Sequence, residues 1–323
     1  MSLKTIAAFR RSTPGKEAGA EPPQPNLKQI LEAHLAWLEQ RPEGVRANLT
    51  AVSLNEAHLE GAILRGALLR GASLLEARLT RADLSRAVLI RCDLRQASLP
   101  GADLSGADLK GVVLDLTLMA ECTLTEARLQ GSHFRRAILR EARLLDAVIQ
   151  ECDFTGAILT GASLHHANLI TSDFSEADLE AALLYHVRGI GVRFVSARMA
   201  QANFTSARLQ GCDFRDAQLL GARFCGADLS QSCFARAALE ECDFRQARLR
   251  GADFAGASLE NARFHEADLL AADFRGANLR GARGLTAAQL LRARTDPSTM
   301  LPNGKRGTFI KGSGAERPFS PLA

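Results

Sequence analysis

The chain lacks an apolar run long enough to span a bilayer and lacks a signal-peptide hydrophobic segment, so neither a membrane protein nor a secreted one is expected. It has no large charge excess: 40 Lys and Arg stand against 36 Asp and Glu, for a net charge of +4. Between residues 46 and 283 the balance is 28 against 29, which excludes a strongly acidic or basic surface there. No glycine-rich phosphate loop joins a strand to a helix, and no Ser, His and Asp set stands beside an oxyanion donor. An enzyme is therefore not expected, and no cofactor is implied.

What is present is a repeat. From Leu49 to Leu279 a large apolar residue recurs at every fifth position without a slip. These centres are Leu or Phe except for Met119, Ile149, Met199 and Gly189, and the residue two places before each is small, usually Ala. A period of five fits neither a helix, in which it makes about 1.4 turns, nor a flat strand, in which an odd period alternates faces. A chain that turns a corner in every pentapeptide points the small and large residues inward each time. Stacked coils of that kind bury a continuous column, the logic of a solenoid.

The phenylalanines give the length of one coil. Phe134, Phe154, Phe174, Phe194, Phe214, Phe234, Phe254 and Phe274 are 20 residues apart, and a second file runs through Phe204, Phe224, Phe244 and Phe264. Nine non-alanine small residues, Val52, Cys92, Val112, Ser132, Cys152, Ser172, Val192, Cys212 and Ser232, share one file. Four corners per 20-residue coil follow.

Ala47-Asn48-Leu49, Ala82-Asp83-Leu84, Ala202-Asn203-Phe204 and Ala277-Asn278-Leu279 spell the motif Ala-(Asp/Asn)-Leu-X-X. In these residues the chain resembles the pentapeptide repeat family, over residues 46–283. The resemblance implies an all-β fold, a right-handed quadrilateral parallel β-helix. At about 4.8 Å per coil, nearly twelve coils make a rod about 55 Å long. Ten of the positions before a centre carry Arg and nine carry Ile, Leu or Val, departures that leave the subfamily open.

The flanks divide the rest. Residues 1–25, with Pro14, Pro22, Pro23 and Pro25, read as a mobile tail. Residues 26–45 read as a capping helix and its approach to the first coil. Asn26 is its N-cap and Gln29 completes a capping box, with Leu27, Ile30, Leu31, His34, Leu35 and Leu38 on one apolar face. It is expected to lid the first coil, whose open end is an unpaired sheet edge. Residues 284–294 read as a second helix with Thr286 and Gln289 as a capping box, and 295–323 as a flexible tail rich in Pro, Gly and Ser. Cys92, Cys152 and Cys212 share a file three coils apart, about 14 Å, too far to bridge. With Cys122 and Cys242 they read as interior fillers of a reduced, cytoplasmic protein, and Cys225 and Cys233 point outward.

Departures from uniformity supply the candidate sites. No Lys or Arg lies between Arg143 and Arg188, while Asp146, Glu151, Asp153, Asp173, Glu176, Asp178 and Glu180 form an acidic belt. It reads as a partner surface or as uneven solvent-facing charge. The segment Tyr185-His186-Val187-Arg188-Gly189-Ile190-Gly191-Val192-Arg193 replaces a centre by Gly189, which predicts a void costing about a few kcal/mol unless Ile190 or Tyr185 fills it. The wall there either bulges toward a partner or carries a tolerated defect. Asp146, His166 and His186 stack in one file as a zinc or copper candidate, or are ordinary exposed residues. Leu118, Ile138 and Ile158 form an outward apolar stripe for protein contact, or pack under a neighbouring loop. Asp153, Asp173 and Asp213 are expected to hydrogen-bond their own turns first.

The leading functional expectation is a non-enzymatic rigid scaffold that binds a protein partner through its walls, with homodimerisation through a β-helix end as a further option. The resemblance implies an alternative: some bacterial pentapeptide repeat proteins linked to quinolone and albicidin resistance look like B-form DNA and occupy DNA gyrase. The near-neutral repeat and ten Arg residues between 188 and 250 oppose that reading. A secretion-system adaptor or effector is a second alternative. Neither direct nucleic-acid nor membrane binding is expected. The inward and outward assignment is testable by chemical denaturation. Phe214→Asp is expected to cost at least about 3 kcal/mol, because a buried carboxylate has no partner there, and Arg215→Asp little. Equal stabilities would overturn the assignment.

Overall fold

The computed structural model describes residues 26–318. The pentapeptide Ala82-Asp83-Leu84-Ser85-Arg86 shows why this sequence coils. Ala82 N–H donates to Leu79 O at 2.9 Å and closes the preceding corner as a tight turn. Asp83 N–H donates back to Ala62 O at 2.9 Å, while Leu84 N–H and Arg86 N–H donate forward to Asp103 O and Ser105 O at 2.7 and 2.8 Å. One amide remains, and Ser85 N–H donates to the Asp83 carboxylate at 3.0 Å. All five donors are satisfied, as buried or half-buried backbone requires. The Asp or Asn before the centre is thus a built-in acceptor for the fifth. Thr155, Ser175 and Arg215 use Asp153, Asp173 and Asp213 in the same way.

Repetition of this unit gives a parallel β-helix. Bridges join residues 20 apart along the chain, from Asn48↔Leu68 and Ser53↔Ser73 to Arg263↔Arg283, four in every 20 residues. The corner residue of each pentapeptide takes a positive φ. Most corners are not glycine, and these hold φ between 53 and 62°, as at Arg136 and Leu116. A left-handed conformation costs a residue with a Cβ about 1–2 kcal/mol, so stacking imposes it against local preference.

Inside, the centres and the small residues are almost entirely inaccessible and form one continuous cluster. Phe214 stacks between Phe194 and Phe234 at centroid distances of 4.9 and 4.6 Å and meets Phe204 and Phe224 edge-on at 6.1 Å. The two phenylalanine files therefore stack along the axis and interlock across it, the geometry ring quadrupoles favour. Polar small residues are satisfied in place: the Cys92 thiol donates to Leu69 O at 2.8 Å and the Ser132 hydroxyl to Leu109 O at 2.6 Å. Burial pushes the Cys92 thiol up to about 11 and the Cys122, Cys152 and Cys212 thiols up to about 12.

Both ends of the column are covered. Helix α1, Leu27–Leu38, is capped by Asn26, whose side chain accepts from Gln29 N–H. Leu27, Ile30 and Leu31 pack on the cluster, and buried His34 accepts from Ala47 N–H at 3.1 Å through Nδ1. Leu35, expected on the buried face, is exposed. Helix α2, Ala287–Arg292, has the full Thr286 and Gln289 capping box, and the Gln289 amide donates to Ala267 O at 2.9 Å.

The segment after α2 corrects the expectation of a flexible 295–323 tail. Residues 294–302 resume the coil, with Phe274 and Leu279 N–H donating to Arg294 O and Met300 O at 2.8 Å. Leu301, Phe309 and Ala315 are buried over the last coil. The Pro, Gly and Ser composition makes turns there, since Asp296 accepts from Ser298 and Thr299 N–H and apolar anchors hold the rest down. The 1–25 tail lies outside the described residues, as do residues 319–323.

Gly189 is the second correction. It sits in β1, Arg188–Ile190, in parallel register with β2, Arg208–Gln210, so the wall does not bulge. No void opens, because a Cβ at Gly189 would lie 2.5 Å from Val192 Cγ2 and 3.3 Å from Leu209 Cδ2. Val192 fills the site, whereas Ile190 points to solvent at 61% exposure. Gly189→Leu, which restores the usual repeat residue, is expected to cost about 1–3 kcal/mol by overpacking. Adding Val192→Ala is expected to recover most of that in urea denaturation. A stabilising Gly189→Leu would contradict this filling.

Candidate functional site

The outer surface is not uniform, and its main concentration of chemistry lies where the chain turns before β1. Successive coils place His165 over Tyr185 and His166 over His186. Their rings stack at 4.7 Å with 8° between planes and at 5.0 Å with 10°. The two stacks meet edge-on, His165 to His166 at 6.1 Å and Tyr185 to His186 at 6.0 Å. The left-handed corner makes this arrangement: two consecutive turn residues project apart, and the 20-residue register lays each on its equivalent. Ser163 Oγ and His165 Nδ1 are 2.6 Å apart. Partial burial holds the His165 imidazole below its ordinary value, and the neighbouring His166 works the same way against an opposing Asp146.

That geometry bears on the metal candidate. Stacked imidazoles carry their nitrogen lone pairs in parallel planes and cannot aim them at one ion between the rings. Among the described residues no group of three or more His, Cys, Asp and Glu is placed to hold a metal ion.

Beside the rings runs a groove of about 470 Å³ that includes His166, His186, Arg188, Ser206, Arg208 and Gln246 in its lining. Arg188 and Arg208 are exposed and lie in register on adjacent coils. Ile190, at the end of the same strand, stands next to this surface.

The acidic belt is largely neutralised in space. Asp173 pairs with Arg193 at 3.4 Å, and Asp178 and Glu180 share Arg198 at 3.3 and 3.5 Å. Asp153 pairs with Arg135. Partial burial pushes the Asp153 carboxyl up, but hydrogen bonds from Thr155 and Arg135 outweigh it and hold the group below the usual carboxylate range. The arginines come from coils outside the linear window that looked free of positive charge. Asp146, Glu151 and Glu176 are left, too few for a continuous acidic surface. Leu118, Ile138 and Ile158 do bridge in register on the outside, with Leu118 45% exposed and Leu116 exposed beside it.

The sequence reading found Tyr185, His186 and Arg188 but missed His165 and Arg208. The 20-residue spacing from His165 to Tyr185 and from Arg188 to Arg208 was a usable signal for both.

A β-helix with a filled column, capped ends and its polar groups on the outside defines a solenoid class. A family model described as pentapeptide repeats matches eight stretches: residues 47–86, 77–115, 118–156, 138–175, 147–184, 172–211, 207–246 and 247–283. The chain belongs to the pentapeptide repeat family, and its helix is of that family's right-handed kind. No curated protein matches it in sequence. Among solved structures it is similar to HetL, a pentapeptide repeat protein involved in heterocyst differentiation regulation from Nostoc sp. strain PCC 7120. Identity is 28% over 76% of this chain and 96% of HetL, with a TM-score of 0.32. It is also similar to QnrB1, a plasmid-mediated fluoroquinolone resistance protein, at 17% identity over 62% of this chain and 89% of QnrB1, with a TM-score of 0.30. A pentapeptide repeat protein from the Arabidopsis thaliana thylakoid lumen matches at 28% identity over 39% and 70%, with a TM-score of 0.19. At such TM-scores the family assignment rests on the repeats themselves.

Proposed function

We propose that the protein is a non-enzymatic scaffold, a four-sided rod of about twelve coils and about 55 Å that binds a protein partner through its outer surface. The observation that carries this reading is the four-ring corner of His165, His166, Tyr185 and His186, held rigidly beside exposed arginines. Tyr and Arg are enriched among the few residues that carry most of the binding energy of protein interfaces. Two further features support it. Among the described residues the column is packed with Leu and Phe and leaves no internal cleft for a substrate, and ring stacking orders part of the outer surface before any partner arrives.

A reducing, cytoplasmic setting belongs to the same proposal, since the inward thiols donate to backbone carbonyls that a disulfide would leave unpaired. The DNA-mimic reading loses its motive, because Asp153, Asp173, Asp178 and Glu180 are engaged by arginines rather than arrayed like phosphates.

A photo-crosslinking residue in place of Tyr185, tested in cells that express the protein, is expected to yield a discrete crosslinked protein. The same residue at the exposed corner Glu76 is expected to yield none. Identical products at both positions, or none at either, would count against a binding corner.

A further inference from the structure

Arg193, Arg198, Arg236 and Arg248 each pair with an acid 20 residues earlier, through the register itself. Arg193 stands one coil above Asp173, and Arg198 one coil above Asp178, and each finds that acid. Arg188 belongs to the same coil, but the residue beneath it is Asn168. Above it lies Arg208, another cation, in direct register. Neither Arg188 nor Arg208 makes an ion pair with any described residue. The next residue up, Asp228, is already committed: it accepts from Gln210 Nε2 at 2.7 Å and from the Ser230 hydroxyl at 2.8 Å, and lies 3.7 Å from Arg248. Like charges directly opposite on neighbouring strands are destabilising. Here the register sets two such residues about one strand spacing apart, and both line the groove together with His166 and His186.

We propose that this groove is a carboxylate-binding site, occupied by an acidic segment of the partner protein; the proposal rests on the scaffold reading above and names the partner's chemistry. A guanidinium fork pairs in bidentate fashion with a carboxylate, and two forks in register along the rod accept two carboxylates from one extended segment. Ser206 lines the same groove and offers a neutral donor beside the forks, while the Gln246 amide in its lining already donates to Glu266 at 2.9 Å. The regular wall fixes where the two arginines are rooted, and the ligand relieves the repulsion between Arg188 and Arg208.

The test is fluorescence anisotropy of a labelled oligoglutamate peptide against the whole protein at low ionic strength. Arg188→Gln with Arg208→Gln is expected to weaken binding at least tenfold. Arg193→Gln with Arg198→Gln removes the same charge from the next two walls and is expected to change binding less than twofold, with circular dichroism showing both variants folded. The proposal is overturned if the peptide does not bind, or if both variants weaken it equally, which marks a general attraction. It is also overturned if labelled duplex DNA binds more tightly with the same dependence on Arg188 and Arg208. Crosslinking at Tyr185 that survives the Arg188→Gln, Arg208→Gln change would leave the scaffold reading standing while this one falls.

Discussion

Everything in this molecule depends on the backbone ladder between coils. Each pentapeptide sends amides forward and back to residues 19 and 21 away, and closes its own corner with a turn. That leaves one donor, which an Asp or Asn accepts where the sequence places one before the centre, as at Asp83, Asp103 and Asp153. With the ladder formed, the side chains have no freedom of direction: two of five point in and the rest point out. The corner must then adopt a left-handed conformation whether or not glycine is available, and Glu, Arg and Gln do so repeatedly. The cost at each corner is local, and cooperative stacking of the column offsets it.

The same constraint decided what was legible in the sequence. The period of five and the coil of 20 could be read because they are written in side-chain size, and Phe134 to Phe274 mark the register directly. Gly189 could not be read in isolation, since Val192, the small residue of the following pentapeptide, supplies the missing volume. The apparent acidic belt came from reading along the chain. In space, Arg193 and Arg198 lie beside acids that precede them by a full coil. The end of the chain misled through composition: Asp296 and the prolines and glycines around it build turns, and Leu301 and Phe309 anchor them. His165 went unnoticed because nothing marks it except its spacing from Tyr185.

Rigid register also links fold to surface. On a flexible loop, Arg188 and Arg208 would swing toward nearby acids. On this wall Asn168 stands beneath Arg188 where the neighbouring files have Asp173 and Asp178, and Asp228, in register above Arg208, is held by Gln210, Ser230 and Arg248. The His165 and Tyr185 stack is held in the same way, with its rings at 4.7 Å imposed by the coil spacing. Chemistry on such a rod is a matter of which residue occupies each rung, and the rungs around β1 differ from those on either side.

The register itself is the central claim, and removal of whole or broken coils tests it most directly. Deleting one complete coil, Arg86–Ser105, rejoins every file to its own continuation. That protein is expected to fold, with a single cooperative unfolding transition and an unchanged circular dichroism signal per residue. Deleting only Arg86–Leu89 turns inward residues outward at the junction and is expected to abolish cooperative unfolding of the column. Equal stability of the two shortened proteins would contradict the account.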